Sequence, residues 1–89
     1  MARRGTTIRD RHRKAISAGH PPCAICGKPI DYTIKWPHPQ AYVVDHIIPI
    51  AAGGPDTLAN KQPAHNYCNG QKLDKLYTLN ILKSSNTLT

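Results

Sequence analysis

The chain has 89 residues, 39% of them apolar, and a mean hydropathy of −0.48. That length holds one small domain whose apolar core alone gives marginal stability. No apolar run approaches the roughly 20 residues that a membrane-spanning helix needs. Twelve Lys and Arg against five Asp and no Glu set a net charge of +7. The balance excludes any site built on a Glu base and points to a polyanionic partner, nucleic acid before others. The N-terminus is basic without the apolar stretch of a secretory signal, so a cytoplasmic location is expected.

Six cations (Arg3, Arg4, Arg9, Arg11, Arg13 and Lys14) and one anion, Asp10, occupy the first 14 residues. Such an arm is a candidate phosphate-binding surface. Thr6 and Thr7 are candidate caps for a helix over about 8–18, with Ile8, His12, Ala15 and Ile16 on one face. Gly19, Pro21 and Pro22 end it. The segment 21–29 is rich in turns, and 31–39 reads as an irregular excursion anchored by Tyr32 and Trp36. Residues 41–45, Ala-Tyr-Val-Val-Asp, form the clearest strand. A loop broken by Pro49 and Gly53-Gly54-Pro55 follows, then a short second strand over 61–63. From His65 or Asn66 the pattern turns helical, with Leu73, Leu76 and Tyr77 on one face and Leu79 to Leu82 extending it. The chain thus divides into a basic arm and helix (1–20), a main domain (21–84) and a frayed tail (85–89).

Three cysteines are odd in number, against a closed disulfide framework, and a small domain without disulfides needs another staple. Cys23-x2-Cys26 gives half a zinc site, with Gly27 allowing a tight knuckle turn. His65-x2-Cys68 gives the other half after 38 intervening residues. Thiolates and imidazole at these spacings suit a four-coordinate structural Zn²⁺. His12, His20 or His38 could stand in for His65 as the fourth ligand.

Between the half-sites lie Asp45-His46 at the end of the strand and then Asn60, and Asn69 follows just after Cys68. Neighbours in an extended strand point to opposite faces, so Asp45 and His46 share one site only if the chain bends there. An Asp, a His and an Asn together offer an oxygen ligand, a base that titrates near neutral pH and a second oxygen ligand. Metal-assisted phosphodiester hydrolysis needs no more.

Here the chain resembles the HNH, or ββα-metal, endonucleases. The resemblance lies in Asp45-His46-Ile47-Ile48-Pro49-Ile50-Ala51-Ala52-Gly53-Gly54, Asn60 and Cys68-Asn69-Gly70-Gln71-Lys72, framed by Cys23-Ala24-Ile25-Cys26 and His65-Asn66-Tyr67-Cys68. It covers roughly residues 23–75, more than half the chain, and five features in one order are far more specific than a single motif. It implies a small α+β fold, a ββα-metal motif stapled by zinc, preceded by the N-terminal helix and basic arm.

It also implies His46 as general base, Asp45 as a ligand of the catalytic metal, and Asn60 as the residue that holds the loop and orients the histidine. Asn69 takes the third position, making an H-N-N variant in which Asp45 and Asn69 hold Mg²⁺ or Mn²⁺. The implied products are 5′-phosphate and 3′-hydroxyl ends, with Lys72 reaching a phosphate. The partner implied is double-stranded DNA, read with little sequence specificity. The insert Trp36-Pro37-His38-Pro39 looks like that of small phage-encoded members, which places the protein in the host cytoplasm and, by analogy alone, beside the packaging terminase. The rival reading is a zinc-ribbon DNA-binding module without catalysis, which would have no need of Asp45, His46 and Asn69.

Overall fold

The computed structural model describes the backbone of residues 4–75 and the side chains of 8–75. Arg3, the Arg4 side chain, the apolar face continuing through Leu76, Tyr77 and Leu79 to Leu82, and the tail 85–89 lie outside the described residues. Within them, helix α1 (Arg4–Ser17) precedes strand β1 (Tyr42–His46) and strand β2 (Lys61–His65). Residues 66–75 form helix α2. The strands pair antiparallel from Tyr42↔His65 to His46↔Lys61. This is the expected small α+β architecture, two helices on a two-stranded sheet.

Tyr42-Val43-Val44 favour the extended, half-buried conformation that β1 takes. The strand begins one residue later than expected and ends one later, at His46. β2 runs on to His65 although Pro63 stands inside it. A two-stranded sheet is all edge, so the missing proline N–H breaks no second ladder. The Pro63 carbonyl instead accepts from Ala24 N at 2.9 Å, which ties the cysteine knuckle to the sheet.

Helix α1 starts at Arg4, so Thr6 and Thr7 lie inside it rather than capping it. Nothing in Arg4-Gly5-Thr6-Thr7 forbids helical dihedrals, and terminal boundaries are the least determined part of a helix. Its end is as expected, with Gly19 and His20 both in the left-handed region. Only part of the expected face is used: Ile16 packs on the core, whereas Ile8 and Ala15 are exposed. Arg13 does the docking. Its guanidinium donates to the Tyr42 carbonyl at 3.1 Å and lies 4.4 Å from the ring centroid, while Tyr42 OH donates back to the Arg13 carbonyl at 2.8 Å. Burial pushes the Tyr42 hydroxyl up to about 12, so it remains a donor at neutral pH.

The core is small: Cys23, Ile30, Tyr42 and Ala64, flanked by Ile16, Tyr32, Val43, Val44 and Cys68. Tyr32 anchors it as expected, its ring 4.9 Å from Tyr42 and its hydroxyl 2.6 Å from the Pro21 carbonyl. Trp36 does not; it is 69% exposed. The excursion around it closes through its own backbone and serves as a cap for α2. Asn66 N donates to the Ala41 carbonyl and Tyr67 N to that of Pro39, each at 2.8 Å. These bonds satisfy first-turn amides that a helix leaves open. No described helix is long and apolar enough to cross a membrane.

Candidate metal centre and active site

The Cys23–Gly27 knuckle turns because Gly27 adopts φ 79° and donates its N–H to the Cys23 carbonyl at 2.8 Å. Across the sheet, His65 ends β2 and Cys68 lies in the first turn of α2. One ligand atom from each of Cys23, Cys26, His65 and Cys68 falls within a 4.8 Å cluster. The expected quartet is thus brought together, and His12, His20 and His38 have no part in it. His65 Nδ1 lies 3.5 Å from Cys26 Sγ and 3.8 Å from Cys68 Sγ. A tetrahedral zinc with ordinary Zn–S and Zn–N bonds sets that edge at about 3.6 Å. The other ring nitrogen, Nε2, is 3.1 Å from the Pro29 carbonyl, an outer bond that fixes Nδ1 as the ligand atom. The cluster could therefore hold a metal such as zinc.

Burial opposes ionisation of Cys23, but backbone N–H groups, those of Cys26 and His65 first, outweigh it and lower its pKa to about 6. Burial, then the neighbouring sulfurs, push Cys68 the other way, to about 12.

A second group of side chains surrounds the end of β1. Val44, Asp45, His46, Asn69 and Leu73 line a cleft of about 240 Å³ together with the 49–51 turn. Although Asp45 and His46 alternate along the strand, both reach this cleft. The chain bends directly after His46, where Ile47 N donates to the Asn60 carbonyl at 2.8 Å. Asn60 is buried and closes the following loop with three side-chain bonds. Its Oδ1 accepts from Ile48 N, and its Nδ2 donates to the carbonyls of Ile48 and Pro55. None of these side-chain hydrogen bonds goes to the His46 ring.

Asp45 is 2% exposed, and its Oδ2 accepts from Gln62 Nε2 and Lys72 Nζ, both at 2.8 Å. Gln62 stands directly across the sheet from Asp45. Lys72 also donates to the His46 and Ile47 carbonyls. These three bonds hold the Lys72 ammonium against the end of β1. Arg13 is likewise committed, to Tyr42. Of the expected arm residues, Arg9, Arg11 and Lys14 stand exposed on α1. No described residue hydrogen-bonds Asp45 Oδ1. Asp45 and Asn69 both line this cleft, and a carboxylate with an amide oxygen is a donor pair suited to a small hard cation.

The His46 ring is held from elsewhere. Its Nε2 lies 2.9 Å from Asp56 Oδ1, and Lys61 Nζ lies 3.1 Å from the same oxygen. Asp56 and Lys61 escaped the sequence reading. Only the strand register, which puts Lys61 opposite His46, could have pointed to them.

The family model for HNH endonucleases matches residues 23–75, well over half the chain and the whole of both sites. The chain belongs to the HNH endonuclease family. That membership carries a nuclease-type function in general terms. No curated protein and no solved structure matches the chain. In this HNH domain His46 ends β1, Asn60 directly precedes β2 and Asn69 lies on α2.

Proposed function

We propose that this HNH domain is a metal-dependent DNA endonuclease in which His46 is the general base. The observation that carries the reading is the single cleft lined by Asp45, His46 and Asn69. His46 would accept a proton from the water that attacks the phosphodiester. Asp45 and Asn69 would hold Mg²⁺ or Mn²⁺, which when bound supplies stabilisation of the leaving 3′ oxygen. Ends carrying 5′-phosphate and 3′-hydroxyl follow from that polarity. The Cys23, Cys26, His65 and Cys68 quartet would carry a zinc that never meets substrate.

The basic face of α1 supports double-stranded DNA as substrate, gripped by phosphate contacts with little reading of bases. Phage origin, the host cytoplasm and a place beside the packaging terminase belong to this reading by family analogy.

Cleavage of supercoiled plasmid with Mg²⁺, Mn²⁺ or EDTA tests it. Wild type should nick or linearise DNA with a divalent ion only. His46→Ala should be about 10²–10⁴-fold slower, with melting and DNA binding unchanged. A His46→Ala protein as fast as wild type would remove the base assignment. DNA binding without cleavage by any metal would favour a non-catalytic zinc-ribbon module.

A further inference from the structure

We propose that Asp56 is the positioning residue for the His46 imidazole, pinned in turn by the enclosed Lys61 ammonium and by His12 on α1. The inference rests on His46 being the base and adds the device that aims it.

The arrangement follows from the sheet. His46 and Lys61 are cross-strand partners at the end of the β1–β2 ladder where the connection leaves and returns. The connecting loop returns Asp56 above that pair, where Oδ1 meets His46 Nε2 at 2.9 Å and Lys61 Nζ at 3.1 Å. An isolated pair with a carboxylate 68% exposed would hold little. Lys61 changes this, because its side chain is only 6% exposed and its ammonium also donates to His12 Nδ1 at 2.7 Å. The four groups thus form one chain, His46–Asp56–Lys61–His12, which links the catalytic strand to the basic helix.

The hydrogen bonds from His46 and then Lys61 hold the Asp56 carboxyl below its ordinary value, so it is ionised at neutral pH and acts as an acceptor only. A neutral imidazole facing such an acceptor through Nε2 must carry its proton there. The lone pair is then on Nδ1, which no described residue hydrogen-bonds. The Asp56 contact therefore selects both the tautomer and the ring angle of the base.

Long-range ¹H–¹⁵N spectra of the zinc-loaded protein at alkaline pH read the tautomer directly, and plasmid cleavage reads its consequence. Wild type should show His46 protonated on Nε2. Asp56→Ala should show a mixture of tautomers and a kcat lower by about 10–100-fold, with KM and melting temperature nearly unchanged. Asp56→Asn, whose amide oxygen still accepts from Nε2–H, should restore the tautomer and part of the rate. An Asp56→Ala spectrum identical to wild type overturns the proposal. So does an undiminished Asp56→Ala rate when His46→Ala is inactive. If wild type itself is inert with either ion, the base reading falls together with the catalytic half of this one, and the tautomer still decides what holds the ring.

Discussion

Cys23 and Cys68 pull in opposite directions within one cluster. Backbone donors draw Cys23 down to about 6 against its burial, whereas burial and adjacent sulfurs drive Cys68 up to about 12. Thiols gathered this closely cannot all ionise without a cation, and a divalent metal removes the conflict by replacing protons. Among the described residues the core cluster has four buried members, Cys23 included, so a metal held here would contribute to folding itself. Structural zinc is worth roughly 10–16 kcal/mol in small fingers, and losing even 3 kcal/mol lowers Tm by about 12–24 °C in a domain of this size. Cys26→Ser should therefore lose its zinc and melt at least that much lower, and EDTA should do the same to wild type. Full zinc content by atomic absorption with unchanged melting in Cys26→Ser would remove the staple.

The β1–β2 connection is the element on which the candidate active site depends. Gly53 turns it at φ 91°. Gly54 passes so close to the Ile48 carbonyl that an added Cβ would collide with that backbone oxygen and press on Asn60 Nδ2. Gly54→Ala should force the loop off Asn60. The expected cost is about 1–3 kcal/mol, read as a lower Tm, with plasmid cleavage falling because Asp56 is carried by the same connection. Melting and cleavage equal to wild type would show that the loop yields freely.

Much of this element was legible in the sequence. Val43-Val44 announced the strand, the paired glycines the loop, and CxxC with HxxC the ligand cluster at the end of β2. The unread parts depend on pairing across distance. Asp56 and Lys61 gain their role only once the register sets Lys61 opposite His46. Lys72 turns inward only because α2 lays it over the buried Asp45. Trp36 had the composition of an anchor, but its loop closes on itself and on the start of α2, where no apolar surface waits for the ring.

At the scale of the whole molecule, the excess of positive charge is not one surface but two kinds of cation. Arg13 and Lys72 are built into the fold, through Tyr42 and Asp45. Arg9 and Arg11 are exposed on α1, the helix whose His12 meets Lys61 beside the end of β1. Each cation that neutralises a phosphate releases counterions and adds about 0.9 to the slope of log affinity against log salt. Arg9→Gln with Arg11→Gln should thus lower that slope by about two, uniformly across DNA sequences, and leave Tm within a degree or two. Arg13→Gln should do the reverse. It loses the guanidinium bond and the ring contact, worth about 1–2 kcal/mol together, so Tm drops by several degrees while the salt slope barely moves. Fluorescence anisotropy on two unrelated duplexes over a salt series, beside thermal melts, separates the two classes. Equal slopes for wild type and the Arg9/Arg11 double variant would take DNA off this face of α1, and a sequence-dependent change would mean that these arginines read bases rather than phosphates.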